Sequence, residues 1–233
     1  MRSRLSLRAA SPRALACAAL LAGCGSSATS GNGVAAKTPV QIVAAARAAV
    51  AGAASVHVAG SIVSEGKPIS LNMELVADKG GKGRVTLEGL SFRLVGVDDA
   101  VYVSGSAAFY KHFAGGASAR VLSGKWLKGA ADGAMASLTS LTRLRTLLGS
   151  VLTAHGSLSR APSRSIAGKP AVGVRDIAGS GTLYVASTGA PYPLEILERG
   201  ASVGKLVFDS WNQPVSLSVP ADAIDVKQLQ SGR

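Results

Sequence analysis

ISLNMEL at 69–75 and RVTLEGLSFRL at 84–94 are the stretches on which the fold turns. Ile69, Leu71, Met73 and Leu75 alternate with Ser70, Asn72 and Glu74. Val85 and Leu87 alternate with Arg84, Thr86 and Glu88, and Phe92 and Leu94 continue the rhythm with Arg93 outside. A period of two sends every second side chain to the same face of an extended strand. Each segment therefore has one greasy and one wet face, the pattern of an antiparallel meander. The punctuation agrees, because Glu65-Gly66-Lys67-Pro68, Asp78 to Gly83 and Asp98-Asp99 are all turn chemistry.

Working outward, residues 56–63 read as a preceding strand, and Val101 with Val103 as a following one. Strands return over 171–176, 182–186, 194–199, 205–211 and 215–219. Pro191-Tyr192-Pro193 marks a rigid corner between two of them, since proline cannot donate to a ladder. Two helices interrupt the strands. Thr38-Pro39-Val40-Gln41 combines a cap, a first-turn proline and a capping-box glutamine, so a helix runs from there to about Ala51. Its stripe of Val40, Val43, Arg47 and Val50 is weak, as suits a surface cover. From Ser137 to Leu152, Leu138, Leu141, Leu144, Leu148 and Leu152 recur every three or four positions as one amphipathic helix. Gly124-Lys125-Trp126 reads as a loop or short strand, and Ser157 to Ser165, with Pro162, as a linking loop. The fold class is α+β and mainly antiparallel β, with about nine to eleven strands by their spacing.

The chain opens with a different kind of segment. Residues 1–23 read as a signal peptide: four arginines and no acid, then a short apolar run from Ala14 to Leu21, far below the ~20 residues of a membrane span. Leu21-Ala22-Gly23-Cys24 resembles the bacterial lipobox, in which the cysteine thiol takes a diacylglyceryl group and the chain is cut before it. Cys24 is thus the expected lipidation site, and two acyl chains anchor stably where one is marginal. Residues 24–37 read as a Gly/Ser/Ala tether, spanning about 20 Å on average. Residues 38–233 form one domain. The expected location is the outer face of the cell membrane.

Composition bounds the rest. The chain has 233 residues, 47% of them hydrophobic but only 4% aromatic, so its interior is smooth and aliphatic. Of 25 basic residues, Arg2, Arg4, Arg8 and Arg13 leave with the leader, and the remaining 21 against 13 acids give +8. These charges are scattered rather than run together, which speaks against nucleic acid and for an anionic membrane surface as the nearest polyanion. Both cysteines, Cys17 and Cys24, precede the domain, which therefore has neither disulfide nor thiolate chemistry. His57, His112 and His155 lie far apart, Asp98-Asp99 fits a turn, and Gly80-Gly81-Lys82-Gly83 lacks Walker spacing. Gly179-Ser180-Gly181 reads as a hairpin turn rather than a nucleophile elbow, so the chain is expected not to be an enzyme, and to need no cofactor or metal.

The order of these parts resembles the LppX/LprG-type actinobacterial lipoproteins of the LolA/LolB-like superfamily. The resemblance is carried by Ser55-Val56-His57-Val58-Ala59-Gly60, Val101-Tyr102-Val103, Gly124-Lys125-Trp126 and residues 181–186 (GTLYVA). Pro191-Tyr192-Pro193-Leu194 and Phe208-Asp209-Ser210-Trp211 add to it, and it covers residues 38–230. It implies a half-open, curved antiparallel barrel covered by helices, with acyl lipid or lipoglycan as cargo and envelope transport proteins as partners. Gly60, Gly89 and Gly96 would permit the curvature. The candidate lining on the strands is Leu71, Met73, Leu75, Val85, Leu87, Phe92 and Leu94. Leu138, Leu141 and Leu148 would close it from the helix. The same residues serve equally well as ordinary packed core. A structural or sensory lipoprotein that binds envelope proteins without cargo is therefore the alternative, separated from a carrier by cavity volume behind the leucine helix.

Overall fold

The computed structural model describes residues 31–64, 66–132, 135–153, 156–178, 181–199 and 203–231. The leader, Cys24 with the first part of the tether, Glu65, His155 and Gly179-Ser180 lie outside the described residues.

The described strands are β1 (Ser55–Ser64), β2 (Lys67–Val76), β3 (Gly80–Leu87), β4 (Leu90–Val97), β5 (Ala100–Gly105) and β6 (Leu127–Ala130). After them come β7 (Leu158–Ile166), β8 (Lys169–Asp176), β9 (Gly181–Ala186), β10 (Pro193–Glu198), β11 (Gly204–Asp209) and β12 (Ile224–Asp225). All twelve form one sheet in the order β12-β6-β5-β4-β3-β2-β1-β11-β10-β9-β8-β7. Every pairing is antiparallel except β12 on β6. The ends do not meet, so the sheet is a curved half-barrel, with one strand more than the upper expectation.

The alternation read from the sequence sets the register. Leu71, Met73 and Leu75 on β2 face the core with Val56 and Val58 of β1, and Val85, Phe92 and Leu94 continue the row. Curvature is concentrated where glycine allows close approach. Gly60 has φ +139°, and a Cβ there would overlap the Lys205 carbonyl across the β1–β11 pair. At Gly96 a Cβ would overlap the Thr142 side chain, so the glycine lets a helix settle directly on the sheet.

Several expectations are corrected. Residues 80–83, read as part of a turn, begin β3, and the turn is confined to 77–79. Ser157 to Ser165, read as a loop, is mostly edge strand β7. Pro162 is tolerated because an edge strand needs ladder donors on one side only, and the register shifts between Ala161 and Arg164 around it. Residues 215–219, read as a strand, pair with nothing; they run between Pro214 and Pro220, held where Lys82 Nζ donates to Ser216 O at 2.8 Å.

Six helices are described rather than two: α1 (Pro39–Ala51), α2 (Ala107–Ala114), α3 (Gly116–Leu122), α4 (Ala136–Thr142), α5 (Leu144–Val151) and α6 (Val226–Ser231). In α1, Thr38 and Gln41 make the reciprocal capping box. Its buried face is Ile42, Val43, Ala46 and Val50, while Val40 points to solvent. The leucine helix is two helices, because Arg143 is extended at φ −103°, ψ 110°. Thr142 is buried against Gly96, and Thr139, Ser140 and Thr142 turn their hydroxyls onto backbone carbonyls, which competes with a continuous helix. Helix α2 starts at a Ser106 cap and is pinned by Tyr110, whose hydroxyl donates to Val103 O (3.2 Å) or Lys125 O (2.9 Å). Burial pushes the Tyr110 phenol above its ordinary pKa, against the weaker opposing effects of the Gly105 amide and Arg93. No described helix is long and apolar enough to cross a membrane.

The helices divide the concave face into two cores. The larger lies under α2, α3, α4 and α5 on β1 to β6 and includes Ile196, Leu206 and Phe208. The smaller packs α1 and Val34 on Val172, Val174 and Val185. Residues 31–37, at the end of the expected tether, lie against the sheet. Gly31 bridges Thr188, Asn32 N donates to Ser187 O at 2.9 Å, and Val34 is buried.

Candidate functional site

At the seam between the two cores the cover is incomplete. Helices α1 and α5 are tied where the Arg47 guanidinium donates to Leu152 O, at 2.8 Å from Nη2 and 3.2 Å from Nε. That bond satisfies an orphan carbonyl just past the end of α5. Beyond this clamp the helices leave a pocket of about 320 Å³ against the concave sheet. Val43 of α1, Val151 and Leu152 at the end of α5, and Leu158, Val174 and Leu183 form one side of the lining. Ile62, Ile196 and Leu206 form the other, and Leu183 packs against both cores. Polar groups complete the lining: Asp176, Glu198, Ser150 and Thr153 reach solvent, and Thr182 is buried. The volume sits at the low end of the roughly 300–1,000 Å³ range of small-molecule sites. A mostly apolar lining with a few polar groups suits a hydrocarbon guest with a polar head, held by burial rather than by directed bonds.

The lining expected from the sequence lies elsewhere. Leu71, Met73, Leu75, Val85, Phe92, Leu94 and Leu148 are brought together as buried members of the larger core. Leu87, Leu138 and Leu141 pack against its edge, partly buried. None of the ten lines the pocket. Behind the leucine helices the interior is filled by Leu144, Leu147 and Leu148; a polar-lined cavity of about 350 Å³ lies at the α4–α5 junction, beside Thr142, Arg143 and Asp78, and the mostly apolar pocket opens past the C-terminal end of α5. Val43 and Leu152 were visible as members of helical stripes. The strand residues Leu183 and Ile196 were not, because β8 to β10 are apolar on both faces. Ala171, Tyr184, Ala186 and Leu194 form a third cluster on the convex side, so alternation there does not say which row faces in.

The convex face carries two polar groupings. Glu195, with a side chain 5% exposed, is paired with Arg164 and with Lys205 Nζ at 3.2 Å, and Arg164 lies 3.9 Å over the Tyr184 ring. His57 Nδ1 lies 2.9 Å from Asp209 Oδ1, and its Nε2 lies 3.3 Å from Asn72 Oδ1. The histidine group joins neighbouring strands, Arg164 reaches from edge strand β7 over β8 and β9 to Glu195 on β10, and neither grouping lines the pocket. Asp98 and Asp99 sit in the β4–β5 turn, and Glu88 is held below the usual carboxylate range by its hydrogen bond and ion pair with Lys67.

A curved, helix-covered, unclosed antiparallel sheet with an apolar pocket on its concave side is the fold expected of LppX/LprG-type lipoproteins. Comparison with solved structures agrees. LprF from Mycobacterium bovis superposes with a TM-score of 0.57 at 14% identity, over 78% of this chain and 97% of that one. The lipoprotein LppX from Mycobacterium tuberculosis aligns at 17% identity over 77% and 98% of the two chains, with a TM-score of 0.49. No family model matches the chain, and no curated protein is similar to it in sequence. The likeness is one of fold.

Proposed function

We propose that the protein is an envelope lipoprotein that binds an acyl chain of a lipid in the seam pocket and carries or presents it across the envelope. Cys24 would hold it to the outer face of the cell membrane through its own lipid. The observation that carries the reading is the 320 Å³ apolar pocket, open at one end of the half-barrel and lined by side chains from both cores. An alkyl guest gains about 0.8 kcal/mol for each methylene removed from water, so even part of one chain binds without a specific polar contact. The fold shared with LprF and the Leu21-Ala22-Gly23-Cys24 sequence support the same conclusion.

The test is lipid content. Protein extracted from membranes is expected to release an acyl lipid in native mass spectrometry, and a chain beginning at Gly25 to take up a fluorescent fatty acid. Failure of both favours the cargo-free reading, for which the filled interior behind the leucine helices is the supporting observation. Cys24→Ala is expected to abolish acylation of the chain and its retention in the membrane fraction. Retention of an acylated variant would refute the anchor.

A further inference from the structure

The half-barrel has two ends of different character. At one, the chain enters: Gly31 bridges Thr188 in the β9–β10 connection, and Asn32 Nδ2 donates to Ala186 O and Gly189 O, each at 2.9 Å. At the other, the ends of β8 and β10 and the starts of β9 and β11 surround the pocket mouth, where Asp176, Gly181, Thr182 and Glu198 line it. Large apolar side chains stand in water there: Ile177 is 61% exposed and Val203 is 69% exposed. Glu198 pairs with Gly181 on one side and Gly204 on the other, and β8 lies next to β9, so the end of β8 before Ile177 and the start of β11 after Val203 are three strands, about 14 Å, apart at ~4.8 Å per strand. Phe113, 53% exposed, is at the same end, since α2 leaves from Gly105 and His112 acts electrostatically on Glu88 of the β3–β4 turn.

We infer that the pocket mouth is a bilayer-docking rim, whose Ile177 and Val203 enter the apolar layer of a membrane other than the one holding the chain's own anchor. The inference rests on the acyl-chain reading of the pocket and on Cys24 as the anchor. A single exposed hydrophobic residue is ordinary. Two at the strand ends that surround the opening of an apolar pocket are different, because they continue its apolar surface outward to where a guest chain must leave. Arg175 and Arg199 are exposed beside them, opposite Asp176 and Glu198 of the lining, so the rim is close to neutral. Its partner is therefore selected by apolar contact rather than by charge, and a zwitterionic bilayer suffices. The direction follows from reach. Cys24 is seven residues before Gly31, a span of at most about 25 Å. Strand β8, with eight residues and hence seven rises, separates the two ends by about 24 Å. The mouth meets the anchoring membrane only if that whole span is drawn straight along the side of the domain.

The experiment uses the mature lipidated chain in phosphatidylcholine vesicles. Cys24 carries the lipid and the domain has no other cysteine, so Ile177→Cys, Val203→Cys and the opposite-end control Thr188→Cys each take a polarity-sensitive dye at one place. Adding protein-free phosphatidylcholine vesicles is expected to raise emission at least about threefold at 177 and 203, and not at 188. Emission that stays low at 177 and 203, or that is already high before the second vesicles are added, overturns the inference. The double variant Ile177→Asp with Val203→Asp is expected to slow delivery of a fluorescent acyl lipid to acceptor vesicles about tenfold, with its equilibrium binding unchanged. Delivery at the unaltered rate overturns the rim. A chain that docks its rim but never binds the acyl probe defeats the pocket reading alone.

Discussion

Leu183→Trp separates the pocket from the packed core. Leu183 projects from β9 into the seam, partly buried and touching both cores, so a larger side chain there has the pocket to grow into. Tryptophan adds about six heavy atoms over leucine, and at ~0.8 kcal/mol per buried methylene the guest loses up to about 5 kcal/mol of burial. Repositioning of the guest recovers part of this, leaving roughly 2–5 kcal/mol, or about 30- to 3,000-fold in affinity at 1.4 kcal/mol per tenfold. The fold itself should hold, because filling a void adds contacts instead of forcing them. Leu71→Ala is the companion. Leu71 is 4% exposed in the larger core, so its truncation costs about 2–5 kcal/mol of stability and leaves the affinity of the folded protein near wild type. Fluorescent fatty-acid titration reads affinity, and urea unfolding reads stability. A Leu183→Trp protein that unfolds normally and binds the probe like wild type would refute the seam as the site. Affinity that instead follows Leu71 would return the guest to the core residues named from the sequence.

On the convex face, Arg164→Ala leaves the buried Glu195 carboxylate with Lys205 alone and removes the stack on Tyr184; a loss of about 1–3 kcal/mol is expected in urea unfolding, discounted because Arg164 is 38% exposed. Glu195→Gln should cost less, since the two cations it releases reach water, and the reverse order would contradict the assignment. Tyr110→Phe should cost about 1 kcal/mol for the lost hydroxyl hydrogen bonding. Because burial raises the Tyr110 pKa in the fold, the native state holds the proton longer than the unfolded chain. Its contribution is complete below about pH 10 and declines as pH rises toward the folded pKa, a decline that Tyr110→Phe should remove from the alkaline stability profile.

Local signals carried the parts of this fold that depend on local chemistry. The capping box of α1 was legible because Thr38, Pro39 and Gln41 act within one turn, and β2 to β4 because one face is buried and the other wet. The edge strand β7 was not, since an edge has little to bury on either side: its burial is mostly slight except at Ala161, and Pro162 argued for a loop. Helices α2 and α3 are only about two turns each; the Ser106 cap and the Phe109–Phe113 pair both belong to α2, and α3 has no side-chain cap. The leucine stripe ran unbroken through Arg143, while the break was set by a tertiary fact, the fit of Thr142 onto Gly96. The pocket is harder still. Its walls are ordinary valines, leucines and isoleucines, and what makes it a pocket is the distance between α1 and α5.

With that distance, holding a guest as proposed and staying folded would not compete. The larger core is complete without a ligand: Met73, Leu75, Leu94, Leu144 and Leu148 are all buried beneath their own helices. Stability therefore comes from β1 to β6 and the helices over them, while the vacancy lies where two separately covered flanks of one curved sheet meet. Glycine at 60 lets β1 lie hard against β11 at this junction, where a Cβ would overlap the Lys205 carbonyl. Arg47 then fixes how far apart the two covers sit, through a bond to a carbonyl at the pocket wall. A guest in the seam adds buried surface without being required for the fold, which is the condition a carrier must meet to release its cargo and persist empty.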